Sequence, residues 1–320
     1  MKKIIECVPN FSEGKDKQKI ERIISVFGLF PEVKLVNYEA DADYNRTVVT
    51  LLGEPEAMIE AILKMVEVCE KEIDLNNHSG EHSRMGAIDV IPFIPVDNIT
   101  IKECVEYANV LAQSISEKYN IPCFMYAEAA NEEKRVSLPN IRKGEFEGMK
   151  EKIKLPEWKP DYGKQEVHPT FGVIGVGVRD FLIAYNIDVL TTDEKITAKF
   201  ARAIRASSGG FQYIQAGPVF LEKRGHTQVT MNILNFKKNP IYRIFETVKM
   251  EARRYSLEVP SAEIVGLIPK AALIDSLKYY YAVNHLDFPK DISLTDITEA
   301  SQKFLKLRDF SADKIIESFL

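Results

Sequence analysis

Val33-Lys-Leu-Val-Asn-Tyr38 and Thr47-Val-Val-Thr-Leu-Leu52 are two β-rich runs separated by the polar segment 39–46, and Gly53-Glu-Pro55 follows at once. Two strands in succession with no helix between them read as a pair. Pro55 can open a helix, because its missing N–H is an orphan at that position anyway. Met58, Ile59, Ile62, Val66 and Cys69 then supply an apolar stripe. Working outward, Ile4 to Val8 reads as a strand and Ile20, Ile23, Ile24 and Phe27 keep helical spacing. Downstream come a strand from Ile88 to Pro95, a helix opened by the capping box Thr100-Ile-Lys-Glu103, and a short strand from Cys123 to Ala127.

The second half repeats the order. Phe181 to Ile187 reads as a strand, Asp193 to Ala206 as a helix, and Tyr213 to Leu221 and Gln228 to Leu234 as strands. Asn239-Pro240 reads as an N-cap with proline at N1, opening a helix with Ile244, Phe245, Val248 and Ala252. Val265-Gly-Leu-Ile-Pro269 echoes Ile91-Pro-Phe-Ile-Pro95, a helix with Leu273, Ile274, Leu277 and Tyr281 follows, and the tail 287–320 reads as two short amphipathic helices. Each half is thus β-α-β-β-α-β, the split-βαβ order. The expected fold is α/β (α+β): two ferredoxin-like βαββαβ subdomains, residues 1–180 and 181–320, with their sheets facing each other, helices outside and a ligand held between. The stretch from Leu155 to Gly177 is too apolar for a free linker and reads as a packed functional loop, with the sole Trp158 in a packing role.

A chain of 320 residues with 45% hydrophobic and 28% charged residues is an ordinary globular protein. Its net charge of −5 argues against broad nucleic-acid binding. There is no 18-residue apolar run to span a membrane and no signal-peptide pattern at the start. Cys7, Cys69, Cys104 and Cys123 are scattered through apolar runs, the pattern of buried thiols in a reducing cytoplasm.

The chemistry concentrates at His78-Ser-Gly-Glu-His-Ser-Arg-Met-Gly-Ala-Ile-Asp89. His78-Ser-Gly-Glu-His82 fits H-x-x-E-H, but zinc would need both imidazoles on one helical turn, and Ser79, Gly80 and Gly86 weaken a helix. No metal is expected. General acid–base work by His82 is the better reading, with Glu81 or Asp89 fixing its tautomer and tuning its pKa toward neutrality. His78 reads as solvated or supporting, and His168, His226 and His285 lack a comparable neighbourhood. No serine sits in a nucleophile elbow, and Gly172, Gly175 and Gly177 are in the wrong order for a nucleotide loop.

Cys7-Val-Pro-Asn-Phe-Ser-Glu-Gly14, Asn45-Arg-Thr47, Gly80-Glu-His-Ser-Arg-Met-Gly-Ala87 with Asp89, Pro92-Phe-Ile-Pro-Val96, Tyr126-Ala-Glu-Ala-Ala130, Leu138-Pro-Asn-Ile-Arg142, Arg179 with Phe181-Leu-Ile-Ala-Tyr-Asn186, and Val265-Gly-Leu-Ile-Pro269 resemble the glutamate formimidoyltransferase (formiminotransferase) family, in its order and nearly end to end. The resemblance implies transfer of the formimino group from N-formimino-L-glutamate to N5 of tetrahydrofolate, the co-substrate, in histidine breakdown. It also implies a cytoplasmic homodimer that acts as a stand-alone transferase, with a possible separate cyclodeaminase as partner. It places the catalytic histidine on His82. The folate stretch falls on Gly163, Lys164, Gln165, Glu166, Val167, His168, Pro169, Thr170, Phe171 and Gly172.

Ser83 stands where the family often has proline. Both substrates carry carboxylates, so arginine forks are expected, with Arg46, Arg84 and Arg179 as candidates. Asn10 and Asn45 are candidates for hydrogen bonds to pterin or donor, with turn chemistry an equal account. Three other functions stay open: a glutamate N-formyltransferase forming 5-formyltetrahydrofolate, a non-catalytic folate carrier, and a zinc hydrolase.

Overall fold

A computed structural model describes residues 2–222 and 224–320. The chain divides into two compact units, Met1–Asp180 and Phe181–Leu320. Among the described residues the strands form one seven-stranded and one four-stranded sheet.

The first unit runs β1 (Ile4–Cys7), β2 (Asn10–Phe11), α1 (Lys17–Ile24), β3 (Val33–Asp41), β4 (Arg46–Gly53), α2 (Pro55–Glu72), β5 (Ile88–Asp97), α3 (Ile101–Tyr119), β6 (Cys123–Ala127), α4 (Glu133–Val136), α5 (Leu138–Arg142), α6 (Glu145–Lys152) and β7 (Ile174–Val178). β3 pairs with β4, as the opening residues predict, and the pairing is antiparallel. β4 pairs with both β1 and β2, which pair in turn with β5. Pro55 does occupy the first turn of α2, and the Thr100/Glu103 capping box does open α3. α3 ends at Asn120, which takes the left-handed conformation at φ 55°. Asparagine tolerates that region because its short amide bonds locally.

The stretch from Leu155 to Gly177 departs from expectation at its end. Ile174–Val178 is a fully buried strand, parallel to both β5 and β6 and lying between them. Its glycines make room for neighbours: a Cβ on Gly177 would stand 2.5 Å from the Tyr126 ring. The residues before it are irregular but much of the segment is exposed, residues 155–157 and 163–166 included, while the half-buried Trp158 does pack, edge-on to Phe124 and over the Lys152 ammonium.

The second unit runs β8 (Ile183–Val189), α7 (Glu194–Ile204), β9 (Ile214–Leu221), β10 (His226–Ile233), α8 (Ile241–Arg253), β11 (Ala262–Val265), α9 (Lys270–Val283) and α10 (Leu294–Phe304). Its strand order is β11-β8-β10-β9, every pair antiparallel. Two expectations need correction. The N-cap of α8 is Pro240, while the Asn239 amide bonds the Gln212 carbonyl instead. The tail has one α-helix, α10, followed by 3-10 turns at Ala312–Lys314 and Ile316–Phe319, because Ile268 and Ala262 draw that segment into β-bridges with Ile315 and Leu307. The Arg308 guanidinium ties it down further, onto Asp188 and Glu263. All four cysteines are buried free thiols. No helix among the described residues is long and apolar enough to cross a membrane.

Candidate active site

Residues 78–87 form an irregular loop between α2 and β5. It is strapped to the β3–β4 turn: Glu81 N–H donates to the Asp43 carbonyl at 3.1 Å and His82 N–H to that of Tyr44 at 3.4 Å. Gly80 permits this approach, since a Cβ there would come within 2.4 Å of the Tyr44 carbonyl oxygen. Asn45, buried and at φ 50°, fastens the junction. Its Oδ1 accepts from Gly14 N–H and its Nδ2 donates to the Ser79 carbonyl, both at 2.9 Å. Both ends of this amide thus bond backbone, which gives Asn45 the role of a turn residue. Asn10 bonds the Val8 carbonyl through Nδ2.

The H-x-x-E-H residues do not share a helical turn. His78 Nε2–H donates to the Asn45 carbonyl at 2.9 Å, and Nδ1 accepts from Arg84 Nε–H at 3.2 Å, which fixes a neutral tautomer. Burial lowers its pKa. Arg84 is buried and its remaining N–H groups meet Glu145 and Glu147 of α6 at 2.8–3.0 Å. That guanidinium anchors the loop and has no fork left for a substrate carboxylate.

His82 is half-buried, and its surroundings differ from the expected carboxylate pair. Glu81 is exposed and makes no side-chain bond among the described residues. Asp89 is buried, but its carboxylate accepts from Met85 N–H at 2.9 Å and from Arg142 Nη2 at 2.5 Å. Neither acid holds the imidazole. Its charged neighbours are cationic instead. Burial, then the positive charges of Arg46 and Arg142, push its pKa down to about 4, away from the neutrality expected. Arg46 makes no ion pair among the described residues, and its guanidinium lies 5.6 Å from the Tyr44 ring. Sequence reasoning missed Arg142 as a site residue. It stands in a quoted motif, but its partner Asp89 is 53 residues away.

The charge of Arg179 acts on the buried Glu6, whose carboxyl burial raises to about 7, and, together with Asp89 and Arg142, on the buried Tyr126 hydroxyl. In the Gly163–Gly172 stretch the backbone folds back on itself: His168 and Gly172 exchange hydrogen bonds, and His168 Nδ1 accepts from Phe171 N–H. Phe171 is wholly buried in the unit's main core, so it anchors the stretch and offers no surface to a ligand. Gln165, Glu166, Val167 and Pro169 line a cavity of about 460 Å³ with Lys150, Glu151, Ile153 and Lys154. Gln165 also donates to the Leu155 carbonyl, while Thr170 edges a separate pocket of about 340 Å³ with Ser12, Asn45 and His78. Gly163 and Gly172 adopt positive φ, and Lys164 is exposed. His226 has a neighbourhood the sequence did not reveal, with Nε2 3.5 Å from Asp188.

Two expected outcomes arise here. Phe171→Leu should cost about 1–2 kcal/mol in urea unfolding, the scale of trimming a buried side chain, and leave folate affinity unchanged. Weaker folate binding at full stability would mark it as a contact. The second concerns pH. The His82 pKa is lowered from 6.5 to about 4 on folding, so the unfolded chain takes up that proton first as pH falls. Stability rises with pH wherever the unfolded state binds more protons. The contribution of His82 is thus complete above about pH 6.5 and lost between there and about pH 4. Wild type should lose stability relative to His82→Gln across that window, and parallel curves would contradict it.

An imidazole with no side-chain hydrogen bond among the described residues, near a guanidinium that makes no ion pair among them, is a centre suited to proton transfer on an anionic substrate. The comparisons narrow this class. Residues 4–179 match the family model described as "Formiminotransferase domain, N-terminal subdomain", and residues 184–319 match "Formiminotransferase domain". The chain is 44% identical over 292 residues to the glutamate formimidoyltransferase of Streptococcus pyogenes serotype M1, covering 91% of this chain and 98% of that one. It is 41% identical to the protein of the same name from Thermoplasma acidophilum, covering 89% and 94%. It is also 41% identical to the formimidoyltransferase-cyclodeaminase of Gallus gallus, covering 88% of this chain and 53% of that longer protein. The chain belongs to the formiminotransferase family.

Proposed function

We propose that this protein is a glutamate formimidoyltransferase, carrying the formimino group from N-formimino-L-glutamate to N5 of tetrahydrofolate and releasing L-glutamate and 5-formimidoyltetrahydrofolate. The observation that carries this is the 44% identity, along nearly the whole of both chains, to a relative of that name. The strand order of the second sheet and the matching order β3-β4-β1-β5 within the first support two ferredoxin-like subdomains, the first bearing the catalytic loop.

In the proposed mechanism N5 attacks the formimino carbon. The new C–N5 bond gives a tetrahedral intermediate, N5 gives up its proton, and the bond from that carbon to the glutamate nitrogen breaks as the nitrogen gains a proton. His82 takes the first proton and returns it to the departing amine, so one imidazole serves both steps. The loop bonds to Asp43 and Tyr44 hold it in place, and holding both substrates in line supplies much of the rate. Folate is assigned to the Gly163–Gly172 stretch through its exposed members. Family resemblance further supports a cytoplasmic homodimer, with a separate cyclodeaminase consuming the product, and analytical ultracentrifugation tests the dimer.

The reaction is tested by supplying tetrahydrofolate with N-formimino-L-glutamate or N-formyl-L-glutamate in parallel and following folate absorbance. Faster turnover of the formimino donor is expected. Faster turnover of the formyl donor would reassign the enzyme to formyl transfer, and folate binding without turnover of either would make it a carrier.

A further inference from the structure

We propose that Arg46 and Arg142 together form the subsite that seats a carboxylate of the amino-acid donor beside His82, with Asp89 as the positioning residue that fixes Arg142. This rests on the formimidoyl-transfer reading and names how that site takes its donor.

The charges around His82 come from several elements, with Asp41, which ends β3, paired in register with Arg46. Arg46 begins β4, Arg142 ends α5, Asp89 lies in β5, and His78 and Arg84 share the loop. Arg84 is neutralised by Glu145 and Glu147, and His78 is held neutral by its two hydrogen bonds. Asp89 is paired with Arg142. Arg46 alone of these guanidiniums makes no ion pair among the described residues, the carboxylates of Asp41 and Asp89 acting on its charge only at longer range. Arg46 Nε and Arg142 Nε are both buried with no hydrogen-bond partner. A buried N–H donor without an acceptor is costly, and two of them on neighbouring guanidiniums mark a place where an anion is accommodated.

Arg142 is also pre-set. Its Nη2 is held by Asp89, and Lys152 closes the end of its helix by donating to the carbonyls of Asn140, Ile141 and Lys143. That ammonium is itself covered by the Trp158 ring, 3.8 Å away. A guanidinium fixed on one edge keeps its other N–H groups aimed, which suits the planar geometry of a carboxylate.

The arrangement couples binding to chemistry. Burial, and then the charges of Arg46 and Arg142, hold down the proton affinity of His82, and the arriving carboxylate would neutralise the one of those two charges that makes no ion pair, that of Arg46. His82 then becomes a stronger base only when the donor is in place, as N5 must lose its proton.

The test is calorimetric titration of L-glutamate, the reaction's own product, into wild type, Arg46→Ala and Arg142→Lys, alongside steady-state kinetics. Arg142→Lys keeps a cation for Asp89, so it guards against misfolding, and thermal melts check both variants. The expected result is a rise of about tenfold or more in Kd for L-glutamate and in KM for the donor, with KM for tetrahydrofolate changed less than about twofold. In proton NMR, saturating L-glutamate should move the His82 titration midpoint upward in wild type and leave it in place in Arg46→Ala. Unchanged Kd and donor KM in folded variants, or equal losses for donor and folate, would overturn the subsite. If wild type binds L-glutamate through Arg46 yet transfers nothing to folate, the reaction reading fails and the subsite stands. If transfer proceeds while donor KM does not move, the subsite fails and the reaction stands.

Discussion

His82→Ala is expected to lower kcat by at least about two orders of magnitude, the scale of losing a general acid–base group. KM for either substrate should move little, because the imidazole makes no hydrogen bond that would orient a bound ligand in the resting site. Folding should survive: the loop is held by the backbone bonds of Glu81 and His82 to Asp43 and Tyr44, and by Asn45, none of which needs the ring. Wild-type turnover in a correctly folded variant would remove His82 from the chemistry. Its lowered proton affinity also separates two behaviours. In kcat/KM, which reports the free enzyme, His82 should impose no limb between about pH 5 and 8, because it stays neutral there. In kcat, which reports the loaded enzyme, a limb should appear at higher pH than in the free enzyme.

Asp89→Ala is the second large effect, about 3–5 kcal/mol of lost stability, as when one partner of a buried ion pair is removed. Asp89 is 1% exposed, and without it the Arg142 guanidinium loses its carboxylate and Met85 N–H its acceptor. Asp89→Asn keeps an acceptor for Met85 and should cost less. Both variants should also raise KM for the donor, since Arg142 is no longer fixed. Trp158 is the sole tryptophan and lies in the unit that holds Asp89, so its fluorescence in urea reports the unfolding directly. A loss under about 1 kcal/mol for the alanine variant would show that Arg142 finds other partners.

The elements written into local sequence were legible. Pro55 and the Thr100/Glu103 box mark helix starts because capping is a property of a few adjacent residues. The run Cys123–Ala127 is a strand as expected. The strand Ile174–Val178 was hidden because its glycines look like loop punctuation, whereas they serve the Tyr126 ring, a neighbour set by tertiary structure. The short helices α4, α5 and α6 carry too few turns for a periodic stripe to show.

The site divides in the same way. A histidine in a glycine-bearing loop could be singled out from its own neighbourhood. Which charges surround it could not. Sequence proximity offered Glu81 and Asp89, but the folded chain brings the charges of Arg46 and Arg142 to act on His82 and pairs Asp89 with Arg142. Likewise Arg84 and Asn45 looked available for ligands because their partners, Glu145, Glu147, Gly14 and Ser79, are distant in sequence.

The most direct measurement of formimidoyl transfer follows the carbon itself. N-formimino-L-glutamate labelled with ¹³C at the formimino carbon is incubated with tetrahydrofolate and the purified protein, and the label is traced by NMR. The label should leave glutamate and appear on N5 of the folate, one equivalent for each glutamate released, and at least about a hundredfold more slowly with His82→Ala. Label that stays on glutamate, or that is released to water as formamide or formate without reaching N5, would contradict the account.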